Sequence, residues 1–210
     1  MATHCYSTRK LQGWDYNRRR DEPEVRRLAE RVSALGQNDA WALCTAGFGL
    51  AWICQEYETA ARFGDRATQL NPNLASAWIN SGSIRMFRGE HDQALEQFAH
   101  VQRISPLGVD RDLVQGYAAT SQLLLGNYEE AARSALDAVS HLPTWLVGPL
   151  IFSAAHGYLG TADQARFGMD RLRRLRPELR LSNVAETMTW RRSEDVARLN
   201  EGLRLAGMPE

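Results

Sequence analysis

Four prolines stand at nearly regular intervals along the chain, with separations of 34, 37 and 34 residues: Pro72, Pro106, Pro143 and Pro177. An alanine precedes each proline by 12 residues: Ala60, Ala94, Ala131 and Ala165. Because the prolines and the alanines recur with the same separations, they indicate repeated structural units. Each unit must stack on its neighbours to bury an apolar face. A repeat architecture therefore constrains the fold of this chain more than any other feature of its sequence.

The residue types at the repeated positions indicate helix–turn–helix units. Three glycines each precede a repeated alanine by five residues: Gly89, Gly126 and Gly160. Glycine ends a helix in a left-handed conformation at low cost, an alanine lets two antiparallel helices touch, and a proline cannot continue the second helix. The spacing predicts four helix pairs: 40–53 with 57–70, 74–87 with 91–104, 111–124 with 128–141, and 145–159 with 162–176.

The first of these pairs departs from the pattern. Its turn at 54–56 reads Cys-Gln-Glu where the other pairs have glycine. Its register also slips by one residue, so that Gly47 takes the place that Gly82 takes in the next pair. In the last pair, Pro149 falls within the first helix, where proline is tolerated in the first turn and would cause a kink later.

The two ends of the chain are atypical, as the ends of a repeat array must be. From Glu22 to Leu35, apolar residues recur at helical spacing: Val25, Leu28, Val32 and Leu35. They predict the second helix of a degenerate leading pair, whose first helix lies within 1–17. Ser193 and the two acids after it predict the start of a final amphipathic helix. The predicted organisation is a degenerate pair at 1–38, four pairs across 39–177 (about 40–72, 74–106, 111–143 and 145–177), and a C-terminal capping segment at 178–210.

A period of 34 with small residues at fixed places and a closing proline resembles the tetratricopeptide repeat (TPR). The resemblance implies an all-α fold, a right-handed superhelical solenoid of antiparallel helix pairs, here with a C-terminal capping helix. It also implies that the first helix of each pair lines a concave surface, where peptide ligands of the family usually bind.

Two short motifs are similar to one bacterial group, the C-terminal TPR module of class III adenylate cyclases and related winged-helix regulators. They are Ile104-Ser-Pro-Leu and the ending Gly202-Leu-Arg-Leu-Ala-Gly-Met-Pro-Glu210. A cyclase needs an α/β domain with two metal-binding aspartates, and the sequence has no strand-rich segment for it. The resemblance therefore implies a regulatory module whose effector domain is absent from this chain.

Composition and motifs argue against catalysis. The 25 basic and 25 acidic residues balance, which removes a general argument for binding nucleic acid or a membrane. We find no phosphate-binding glycine motif, no metal-ligand spacing and no nucleophile motif, so we predict no enzyme activity, cofactor or metal. The densest arginine cluster, at 171–180, is interpreted as a solvated helix end. No signal peptide or membrane segment is evident, and we predict a cytoplasmic protein.

The concave surface is the candidate binding site. The repeat register places eight residues there: Trp52, Asn80, Met86, Phe87, Tyr117, Leu124, Ile151 and Tyr158. The carboxylate clamp with which the family holds chaperone tails is absent, and an apolar groove suits a helix or hydrophobic peptide. The alternative is that many of these residues form inter-helix core. The favoured function is a non-catalytic protein-interaction scaffold, with self-association left open, and the alternative is the regulatory module described above.

Overall fold

The computed structural model describes residues 2–12 and 16–210, which form helices joined by turns, with no strand among them. The chain divides into two compact units, Met1–Pro106 and Leu107–Glu210. The all-α prediction is confirmed. In each unit, consecutive helices pair and successive pairs pack side by side, as in a solenoid.

The N-terminal unit holds three helix pairs. Its helices are α1 (Ala2–Gln12), α2 (Arg18–Leu35), α3 (Ala40–Gly49), α4 (Tyr57–Leu70), α5 (Ala75–Arg88) and α6 (His91–Ile104), and a π-helical turn (Leu50–Cys54) continues α3. Helix α3 packs against α1, α2, α4 and α5. The first helix expected within 1–17 corresponds to α1, and the remainder of that expectation, at 1 and 13–15, lies outside the described residues.

Helix α2 begins four residues before the predicted start because Asn17 caps it. The Asn17 side chain accepts a hydrogen bond from the backbone N–H of Arg20 at 3.2 Å. Asp21 is fully buried and accepts hydrogen bonds from Asn17 N and Arg20 Nε. Arg20 holds the pKa of Asp21 below its usual range, and Arg9 of α1 lies 3.9 Å from the same carboxylate. This buried charge joins α1 to the start of α2.

The repeated residues occupy the places that their chemistry predicts. The four alanines are at most 4% exposed, at the contacts between paired helices. Each repeated proline follows the end of a second helix by two residues. Gly89 and Gly126 end α5 and a later first helix with φ angles of 82° and 89°, and Gly160 has a φ of 67°. The left-handed turn is therefore a repeated feature of the pairs.

The π-helical turn explains the one-residue slip of the first regular pair. A β-carbon on Gly47 would lie 3.0 Å from Ala60 O, and one on Gly82 would lie 2.6 Å from the Phe98 ring, so both glycines face the second helix of their pair. The first pair has one more residue between this glycine and its alanine, and a π-helical turn accommodates one extra residue. The left-handed turn is kept at Gln55, whose φ is 59°.

The C-terminal unit holds two pairs and a final helix. Its elements are α7 (Arg111–Leu125), α8 (Tyr128–His141), α9 (Val147–Tyr158), α10 (Ala162–Leu175), a short 3-10 turn (Val184–Thr187) and α11 (Ser193–Leu205). Pro149 lies in the first turn of α9, where it needs no intrahelical partner. Helix α11 packs against α9 and, over a smaller area, against α7.

Candidate functional site

The eight residues predicted to line a groove are mostly core residues. Six are at most 5% exposed: Trp52, Met86, Phe87, Tyr117, Leu124 and Ile151. Of the eight, Asn80 and Tyr158 are partly exposed. These six side chains offer a ligand little accessible surface, so their burial favours the inter-helix core that the sequence left open as an alternative. The repeat register could not separate groove from core, because the same face of a first helix contacts both the neighbouring first helix and solvent.

Three aromatic rings form a cluster in the N-terminal unit. Phe48 of α3 stacks on Trp52 of the π-helical turn, with ring centroids 6.2 Å apart, and Phe87 of α5 lies 5.4 Å from Trp52. Phe48 is partly exposed, whereas the other two rings are buried. Trp41 lies seven residues before Phe48, on the same face of α3, and is 40% exposed. Sequence analysis missed Trp41 and Phe48, which are the accessible part of this apolar face.

A polar contact joins α3 to α5 beside this cluster. The Cys44 thiol is buried, and burial raises its pKa to about 11 although the neighbouring Asn80 and Ser76 side chains act in the opposite direction. Cys44 lies between Trp41 and Phe48 along α3, so Asn80 adds an amide to the edge of the apolar face.

The chain's one lysine contacts Trp52, one of the two buried rings of the cluster. Lys10 Nζ donates a hydrogen bond to Trp52 O at 2.5 Å and lies 4.8 Å from the Trp52 ring centroid and 5.3 Å from that of Tyr16. Burial, reinforced by the nearby Arg18, lowers the pKa of Lys10 to about 8. The ammonium therefore fixes α1 to the π-helical turn through a carbonyl and two aromatic faces.

A cleft of about 310 Å³ opens between α2, the π-helical turn and α4, with Leu50 and Phe63 among its walls. Arg26 connects two of its sides, since it donates hydrogen bonds to Glu22 at 2.6 Å and to Glu56 at 2.5 Å. The charges at this cleft thus serve to join α2 to the residue that precedes α4.

In the C-terminal unit, the predicted groove residues meet α11. Tyr158 stacks on Tyr128 with ring centroids 4.1 Å apart, and its hydroxyl donates a hydrogen bond to Arg198 O at 2.8 Å. Burial raises the pKa of Tyr158. Arg198 Nη1 in turn donates to Leu124 O at 2.6 Å, where a cation complements the C-terminal end of α7. The chain's own last helix therefore occupies part of the predicted site.

Several residues of the C-terminal motif pack α11 and the residues that follow it against the rest of the unit. A β-carbon on Gly202 would lie 2.8 Å from Ala154 O, so only glycine fits there. Leu203 is fully buried and Met208 is 5% exposed. Gly207 has a φ of 85° and ends the helix after Leu205. Gly202, Leu203 and Met208 thus take part in the packing of the C-terminal residues of this chain.

The arginine-rich stretch at 171–180 is engaged within the chain. Arg173 pairs with Asp170 at 3.0 Å, Arg176 with Glu178 at 3.2 Å, and Arg180 Nη1 donates to Pro177 O. Over the described ranges 2–12 and 16–210, no three histidine, cysteine or acidic side chains are placed to hold a metal ion together. None of the helices in those ranges has the length and apolarity needed to span a membrane.

No family model matches the sequence, and no curated protein matches it. Solved structures match the fold. The MamA RS-1 ArsTM double mutant is 19% identical with a TM-score of 0.60, over 84% of this chain and 93% of that chain. YrrB, a TPR protein with an unusual peptide-binding site, is 17% identical with a TM-score of 0.57, over 85% of this chain and 91% of its own. These structures do not bear on the similarity to cyclase modules. The chain therefore has the fold of the tetratricopeptide repeat proteins.

Proposed function

We propose that the chain is a non-catalytic protein-interaction scaffold that binds a peptide or helix on the first helices of its N-terminal unit. The observation that carries the proposal is the accessible apolar face of α3, where Trp41 is 40% exposed and Phe48 partly exposed beside the Asn80 amide. An aromatic surface with one amide suits the apolar side of an amphipathic helix, anchored by rings and oriented by hydrogen bonds. A peptide-binding neighbour of the same fold, YrrB, supports this choice.

A display library of helical and extended peptides, selected on the purified chain, tests this proposal. Selected peptides should bind the Trp41→Arg and Asn80→Arg variants at least tenfold more weakly, because a bulky cation is placed on the apolar face. Gln102→Arg, which adds the same charge at an exposed position of α6, is the matched control and should bind normally. Peptides that bind all four proteins equally would place the binding surface elsewhere.

A narrower form of the proposal makes the partner a nucleotide cyclase or a transcription regulator, and the chain its regulatory module in the cytoplasm. The ending from Gly202 supports it, since this motif carries the similarity to the cyclase-associated modules. The purified chain should then change the turnover of a class III cyclase, or the operator affinity of a winged-helix regulator, from the same genome. An unchanged rate and affinity at saturating chain would remove this form and leave the general one.

A further inference from the structure

Helix α11 lies on the first helices of the C-terminal unit rather than on the second helix of the last pair. It packs against α9 and α7, which are the helices expected to form a ligand surface in this fold. At Gly157 and Gly202 the backbones of α9 and α11 are in direct contact. A β-carbon on Gly157 would lie 2.1 Å from Gly202 O, and one on Gly202 would lie 2.8 Å from Ala154 O. Two helices can approach this closely only where both lack a side chain.

The rest of the contact has the composition of a bound amphipathic helix. Leu199 and Leu203 of α11 are fully buried, one turn apart on the same side as Gly202. Arg204 and Leu205 lie on the exposed side. The polar contacts are made at the end of the site, where Arg198 donates to Leu124 O and accepts from the Tyr158 hydroxyl through its own carbonyl. These contacts use backbone groups, which any helix carrying an arginine at this position can supply.

The connection to α11 is a long segment with little regular structure. Between the end of α10 at Leu175 and the start of α11 at Ser193, the regular structure is one 3-10 turn, Val184–Thr187. Leu181 N of this segment donates a hydrogen bond to Pro209 O, beyond the end of α11, at 3.0 Å, and the Val184 and Met188 side chains of the segment are buried. A detached helix on a tether of this length would remain at an effective concentration near the millimolar range.

We propose that the α9 and α7 surface under α11 is a helix-binding site, which α11 occupies in cis and from which a partner helix of the same chemistry displaces it. The partner is an amphipathic helix with leucine, glycine and leucine in the order of 199, 202 and 203, and with an arginine four residues before the glycine. The inference rests on the proposed function, which is binding of a protein partner. It adds a second binding surface, formed by α9 and α7, which is accessible only when α11 is released.

A labelled peptide of residues 191–210 serves as the probe, and its binding to the full chain is measured by fluorescence anisotropy. The wild-type chain should bind it weakly, because tethered α11 competes at high effective concentration. In the Gly202→Leu chain the new side chain meets Ala154 O and the Tyr158 ring, so α11 is displaced while the receptor surface is unchanged. This chain should bind the wild-type peptide at least 100-fold more tightly. The Arg204→Gln chain, altered on the exposed side of α11, is the control and should behave as wild type.

A folded Gly202→Leu chain that does not bind the peptide would overturn the proposal, as would a Gly202→Leu peptide that binds as well as the wild-type one. If the Gly202→Leu chain loses its helical circular dichroism, the Arg198→Ala chain decides the question. It keeps the glycine contact and loses the hydrogen bond to Leu124 O, so it should bind the peptide roughly tenfold more tightly than wild type. No gain in that chain would also refute the proposal. The probe is the chain's own sequence, so this result is independent of whether a partner binds the N-terminal unit.

Discussion

The effect of Tyr117 variants on the free energy of unfolding tests whether this residue lies in the core or in a groove. Its side chain is 4% exposed, and its ring meets that of Trp145 edge to face, with centroids 5.4 Å apart at 86°. Truncating a buried aromatic residue to alanine costs about 3–5 kcal/mol, of which about 0.5–1.5 kcal/mol belongs to the aromatic pair. Tyr117→Ala should therefore remove a large part of a total stability of about 5–15 kcal/mol.

Urea denaturation, followed by circular dichroism, measures this loss. Tyr117→Phe keeps the ring and should lose no more than about 1.5 kcal/mol, the net worth of a hydrogen bond. Asn80→Ala, a partly exposed member of the same predicted set, should lose about 1 kcal/mol or less. A loss below about 1 kcal/mol for Tyr117→Ala, at an unchanged denaturant slope, would show that the ring is not packed as described.

Three further outcomes are expected. Because Lys10 deprotonates near pH 8 in the folded chain and near its ordinary pKa of 10.5 when unfolded, the wild type should gain stability from about pH 8 to 10.5. Lys10→Met should lack that gain, as urea titrations at pH 7 and 10 will show. Gln55→Gly should raise the unfolding free energy by up to about 1 kcal/mol, because it relieves a left-handed non-glycine residue. A thiol reagent at pH 8 should label the exposed Cys5 quickly and should label Cys44 and Cys54 only on unfolding, since burial raises their pKa values to about 11 and 12.

The helix boundaries were largely predictable because they depend on local chemistry. Prolines and left-handed glycines end helices wherever they occur, so α4, α6 and α8 end where the period places them. The start of α2 was predicted four residues late, because the apolar pattern does not extend to the capped end and Asn17 was not taken as a cap. The π-helical turn was signalled by the one-residue slip between Gly47 and Ala60, although the slip alone does not specify the type of turn.

The accessible residues of the site were less predictable, for a physical reason. Periodicity identifies which side of a first helix is apolar, but not how much of that side a neighbouring helix covers. Met86 and Ile151 are fully buried, whereas Phe48, also on a first helix, remains partly exposed. The difference depends on contacts between residues far apart in the sequence, which a repeat pattern does not encode.

The docking of helix α11 was also not predictable from periodicity, although the helix itself was. Sequence analysis correctly located an amphipathic helix near Ser193 and expected it to cover the last pair, but its apolar side alone fits several surfaces. The two glycines decide between them, because Gly157 and Gly202 are each blocked by backbone from carrying a side chain. A glycine inside a predicted helix costs about 1 kcal/mol relative to alanine, so two such glycines, 45 residues apart, indicate a tertiary contact that repays the cost. The repeat period does not relate Gly157 to Gly202, so the pairing of these two glycines is seen only in the structure.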